Sequence, residues 1–212
     1  MNAIDVVLIV LLLVSVVIGS KKGMIRELMA FAVFFIAIVV CVAYVDGFAV
    51  WVHDQVGGSP LISAFISFAI LLAVTYAAFK LLGLLFYKVA NVKQTGTKDQ
   101  MGGALVGFLR GWLAVGFLTM LVFLLPMPES FYDEFEGSFF GPTIAKTVPL
   151  MFEGTAKLHP GSPSFMDKME RTLLISPAGG SAYQPLDEHR QQAHKVLYQM
   201  ERFFNPGLGQ QS

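Results

Sequence analysis

The residues that could do chemistry in this chain sit where charge is expensive. Arg110 lies in the stretch TGTKDQMGGALVGFLRG, residues 95–111, which runs without a break into WLAVGFLTMLVFLL. Glu27 stands in the turn KKGMIREL, and Asp5 opens the first apolar run. An arginine at mid-depth in a bilayer costs about 2.5 kcal/mol or more, so it must reach the headgroups or meet a carboxylate. The chemistry open to such groups is ion pairing. Nothing else proposes catalysis. His189 and His194 are five apart, about 140° round a helix, and so share no face. His53 and Asp54 read as solvated loop residues beside Trp51, and His159 stands apart from them. Asp46 and Asp54 lack the His or Cys spacing of a metal site. The chain has no P-loop, no G-x-S-x-G and no dinucleotide-binding G-x-G-x-x-G setting. It reads as a non-enzyme without catalytic residue, cofactor or metal.

The neighbours of Arg110 are more informative. With Gly103 at zero on a helical wheel, Gly107 falls at about 40°, Gly111 at about 80° and Arg110 at about −20°. Small residues at i, i+4 and i+8 let a second helix come close, a main source of packing energy in lipid. Gly107→Leu should therefore loosen the fourth helix, while Gly107→Ala should be nearly silent. Arg110 lies at the edge of this stripe. Two readings stand: it pairs with Glu27, or it snorkels to the headgroups. Asp99 shares its face but lies eleven residues back, about 16 Å along the axis, out of direct reach. An anion there suits the positive end of the fourth helix. Lys80, near the inner end of the third apolar run, reads as a snorkelling residue.

These groups are positioned by apolar helices. The chain of 212 residues is 55% hydrophobic and only 14% charged, well below the quarter usual for a soluble domain. Mean hydropathy is +0.62. About 20 apolar residues cross a bilayer as a helix. Four segments qualify, at about 3–19, 24–45, 61–86 and 101–125. The expected fold is an all-α membrane protein, a bundle of four transmembrane helices. The first is not expected to be a signal peptide, because Lys21 and Lys22 follow it and Asp5 precedes it. Cys41 lies in an apolar run and can form no intramolecular disulfide. No basic patch invites nucleic acid.

Orientation follows from the connections. SKKGMIRE and YKVANVKQTGTKDQ carry three basic residues each, whereas DGFAVWVHDQVGGSP has no lysine or arginine. Basic loops stay in the cytoplasm, so both termini are expected outside. After residue 125 most of the prolines appear, and 126–212 reads as an extracytoplasmic tail of short helices. One amphipathic helix is clear at about 186–204, with Leu186, Ala193, Leu197, Met200 and Phe204 on one face. It could dock on a partner or a membrane surface; packing on its own tail or on the membrane domain is the favoured reading.

Asp5, the turn Lys22-Gly23-x-x-Arg26-Glu27 and the segment from Asp99 to Gly111 together resemble the colicin V production protein (CvpA) family, over roughly residues 1–125. The family's D-x-x-G-x-x-x-G-x-x-R-G pattern falls on Asp99, Gly103 with Gly102 beside it, Gly107, Arg110 and Gly111, the first glycine being displaced or doubled. The resemblance implies a bacterial inner-membrane protein linked to colicin V production or export and to envelope stress tolerance. Some members carry an outer protease domain, whose motifs are missing here. It implies Asp5, Gly23, Glu27, Asp99, Gly103, Gly107, Arg110 and Gly111 as structural or functional candidates. Membrane lipid, and protein partners or further copies of the chain, are the partners expected. A small oligomeric channel or transporter is the alternative.

Overall fold

The computed structural model describes residues 2–90, 96–159, 163–175 and 188–204. Four long helices are present: α1 (Ala3–Lys22), α2 (Met24–Val56), α3 (Pro60–Ala90) and α4 (Gly96–Phe123). All four are long and apolar enough to cross a membrane. Only helices or closed barrels satisfy every backbone group in lipid, and no strand occurs among the described residues. The protein is an all-α membrane protein. The helices pack in a row: α4 sits between α1 and α2, and α2 between α4 and α3. Val6, Val7, Val10, Leu13, Val14 and Val17 on α1 point outward, as a lipid-facing helix requires.

Two boundaries differ from the sequence expectation. α2 does not end near residue 45 but continues to Val56, so the whole of DGFAVWVHDQV is helix. Ala49 and Val52 are buried on that extension. The reversal is confined to the segment after it, where Gly57 and Gly58 have φ of 67° and 86°, a region open to glycine. His53 is accordingly no solvated loop residue. It is half-buried, and its Nδ1 lies 3.3 Å from Ser63 Oγ on α3. α4 begins at Gly96, several residues before the apolar run, because Asp99 and its neighbours are recruited as its first turn.

Five short helices follow: α5 (Glu129–Glu136), α6 (Gly141–Ala145), α7 (Thr147–Gly154), α8 (Phe165–Leu173) and α9 (Glu188–Phe204). They pack at the end of the bundle where α1 and α3 begin and α4 finishes, and the apolar core runs continuously from bundle to tail. Phe123 at the end of α4 touches the rings of Phe131, Tyr132, Phe135, Phe203 and Phe204. α9 buries Ala193, Leu197, Met200 and Phe204, the face anticipated, together with Val196 and Phe203. Leu186 lies outside the described residues. The amphipathic helix thus packs on its own tail and on the bundle. Arg202 ties it to Asp133 and Glu136 on α5.

The tail also reaches downward. Ile144 of α6 joins Leu8, Leu12 and Val115 in a buried cluster. Leu12 is nine residues into α1, about 13 Å along its axis. Trp112 Nε1 donates to Thr147 Oγ1 at 2.9 Å, and a Cβ on Gly116 would lie 2.9 Å from Thr147 Cβ. The start of α7 therefore lies beside the membrane helices rather than above them.

Candidate functional site

The candidate residues converge at two places. At the end carrying the basic turn, α1 and α2 meet at Gly23, whose φ of 84° is one that side chains rarely tolerate. The first N–H groups of a helix lack intrahelical partners. That of Met24 donates to Asp99 Oδ1 at 2.9 Å. Asp99 thus caps α2 from another helix, besides sitting in the first turn of α4 as the sequence reading had it. A Cβ on Gly23 would also collide with Asp99 Oδ2. The backbone turn requires glycine there, and any side chain would have to push the Asp99 cap aside.

Above this vertex, the glycine ladder faces α1. A Cβ on Gly103 would lie 2.5 Å from the Gly19 carbonyl oxygen and 2.9 Å from the Gly23 carbonyl carbon. One on Gly107 would lie 2.7 Å from Ser15 O and 2.9 Å from Gly19 Cα. Gly111 instead meets the Ser15 side chain, with Oγ at 2.6 Å from the added Cβ. Helix backbones touch here almost without intervening side chains, the geometry that small residues permit in lipid. The expectation that Gly107→Ala is nearly silent is corrected: even the first carbon strikes backbone, which no rotamer change can move aside. Gly19 and Ser15, the other half of the contact, were missed; the small residues near the end of the first span were the available signal.

Arg110 leaves the edge of the ladder toward α2. Its Nε lies 2.5 Å from Glu27 Oε1, and Lys22 Nζ lies 3.8 Å from Oε2. The Glu27 side chain is fully buried and that of Arg110 is 18% exposed. Neither carboxylate oxygen has a hydrogen bond of acceptable geometry, so charge attraction holds the group. Of the two readings of Arg110, the structure contains the pairing. A buried carboxylate this deep is tolerable only because a cation is brought to it.

At the opposite end, Asp5 is fully buried. Its Oδ2 accepts from the N–H of Asn2 at 3.0 Å, completing a capping box on α1. Its Oδ1 accepts from Ser138 Oγ at 2.7 Å and from the Phe140 N–H at 3.2 Å. Asp5 therefore ties the start of α1 to the start of α6. A second tie was not anticipated. Lys168 on α8 donates to the carbonyl of Ala43 at 2.7 Å and to Asp46 Oδ2 at 2.8 Å. Lys168→Met leaves Asp46 and a carbonyl without their donor. About 2 kcal/mol of local stability should be lost, as for hydrogen bonds to a charged group. Amide exchange across α8 should quicken roughly 30-fold on that basis, while α1 and α4 keep their protection.

The chain matches the family described as Colicin V production protein over residues 4–149. It belongs to the colicin V production protein family. The match extends beyond residue 125 and takes in Ser138 and Phe140, so the two tail groups that bond Asp5 Oδ1 lie inside the matched region. This colicin V production family member is also similar to the uncharacterized transmembrane protein YshB of Bacillus subtilis (strain 168). The two are 24% identical over a 140-residue alignment covering 58% of this chain and 79% of that one. No solved structure matches. Among the described residues, no group of three or more His, Cys, Asp or Glu side chains could hold a metal ion. His159 stacks on Phe152 at 4.3 Å, and its Nε2 lies 3.2 Å from the Phe152 carbonyl.

Proposed function

We propose that the protein is a non-enzymatic factor of the bacterial inner membrane. It supports production or export of a colicin V-like peptide toxin, and envelope homeostasis more widely, by gathering protein partners. Both termini and residues 126–212 face outside in this reading, with the turn at Gly23 and the basic connection between the third and fourth spans in the cytoplasm. The family membership supports the toxin-linked role, and the loop charges support the orientation. The observation that carries the non-transporter reading is the tight packing of α4 against both its neighbours. A solute path wants polar groups lining a cavity or broken helices. Here α4 meets α1 through backbone contact and meets α2 through a paired arginine. Ser67 gives its hydroxyl to the Ser63 carbonyl at 2.6 Å, which leaves it little to offer a solute.

The second reading is a small oligomeric channel or transporter. It is favoured by a cleft of about 250 Å³ lined by Ser15, Phe34, Tyr76, Arg110 and Ala114. Copies assembled around that cleft would multiply its polar groups. Three measurements separate these readings. A strain lacking the protein should secrete less of a colicin V-like peptide, and crosslinking in wild-type cells should capture the same partners repeatedly. Purified protein in liposomes should show no specific solute flux. Flux abolished by Arg110→Ala would reverse the ranking. Phosphatase fusions after Gln94 and after Ser212 should give opposite signals, low and high respectively.

A further inference from the structure

A groove of about 340 Å³ runs between α2 and α3 at the end that carries the basic turn. Lys22, Arg26 and Lys80 converge on it, over a wall that includes Ala30 and Val33. No carboxylate is among its described lining residues. Glu27, the nearest acid in sequence, is turned into the bundle, where Arg110 and Lys22 engage it. Arg26 and Lys80 are exposed on the outer surface of α2 and α3. Lys80 stands twenty residues after the start of α3, about 30 Å along the axis, the thickness of a bilayer core. Its ammonium lies 5.8 Å from the centroid of the Tyr76 ring, a contact that eases desolvation without neutralising the charge. An outward-facing cation at that level meets the headgroups, where a phosphate is the anion at hand.

The groove also keeps empty space. A Cβ added to Gly83, which lines it, would meet nothing within 4 Å. Packing between helices does not explain that glycine, and glycine is a poor helix former. Converging cations at the mouth and apolar side chains beneath describe an amphiphile with an anionic head. We propose that this groove binds an acidic phospholipid of the inner leaflet. Its phosphate sits among Lys22, Arg26 and Lys80, and an acyl chain lies along Ala30 and Val33 past Gly83.

The full chain, purified in neutral detergent and stripped of lipid, is titrated with phosphatidylglycerol, phosphatidylcholine or soluble glycerol phosphate. Bound lipid is read by native mass spectrometry and by the thermal midpoint. Each engaged cation is worth about a factor of five for an anionic lipid, so phosphatidylglycerol should be preferred at least ~25-fold. The double variant Arg26→Gln, Lys80→Gln should lose that preference. Gly83→Leu should weaken both phospholipids while the lipid-free thermal midpoint stays level or rises, since the added side chain enters open space. Equal binding of the two phospholipids overturns the proposal, as does a preference that survives in the double variant. A stabilisation reproduced in full by glycerol phosphate overturns the lipid assignment in favour of a free anion.

Discussion

Gly107→Leu is expected to separate α4 from α1 and to leave the protein unable to hold its four-helix packing in mild detergent. Overpacking a core commonly costs about 1–3 kcal/mol when side chains can shift. Here the obstacle is the backbone at Ser15 and Gly19, so the loss should exceed that range. Gly107→Ala should already show a clear drop in thermal midpoint, and no single side-chain change on α1 should restore it. Gly111→Ala offers the contrast. Its added carbon meets the Ser15 side chain, so Ser15→Gly should recover much of the loss. A Gly107→Ala protein as stable as wild type would remove the close-contact account of the ladder.

Arg110→Ala should be comparably damaging for a different reason. It leaves the buried Glu27 carboxylate, among the described residues, with Lys22 at 3.8 Å as its remaining cation. Breaking a buried pair by removing one partner costs about 3–5 kcal/mol, mostly through the stranded charge. Glu27→Ala in the same background should then restore stability, so the double variant is less harmed than the sum of the singles. Arg110→Lys should recover only part, because the contact is made by Nε and a lysine brings a single ammonium on a stem of different geometry. The check is a double-mutant cycle on thermal unfolding in detergent, with complementation of a deletion strain scored alongside. Strict additivity would mean that the two side chains act independently.

What could be read in the chain was whatever has a local period. Uninterrupted apolar runs mark all four spans, and the i, i+4, i+8 glycines mark a close face before its partner is known. Arg110 and Glu27 could be paired because charges inside apolar runs are scarce and must be answered. The remainder depends on partners far along the chain. Asp99 looks like an anion at the head of its own helix, yet its Oδ1 serves Met24, 75 residues earlier. Asp46 shows only as an acid in a connection without basic residues until Lys168, 122 residues later, arrives on it. That distant tie, with the burial of Ala49 and Val52, accompanies the extension of α2 beyond the apolar run. The descent of α6 and α7 beside α4 had no periodic signature, since helices of five and eight residues are too short to show one.

The Glu27–Arg110 pair has a consequence for biogenesis. Glu27 leaves the ribosome about 80 residues ahead of its arginine, an interval of about 4–16 s at ordinary elongation rates. During that time α2 has its carboxylate but no Arg110, so the second helix should linger in the insertion machinery. The arrival of α4 then brings, in one stretch of thirteen residues, the cap for Met24, the glycines for α1 and the cation for Glu27. Lateral release of the first three helices would thus wait for the fourth, and a ribosome stalled before residue 110 should leave α2 exposed to quality-control proteolysis.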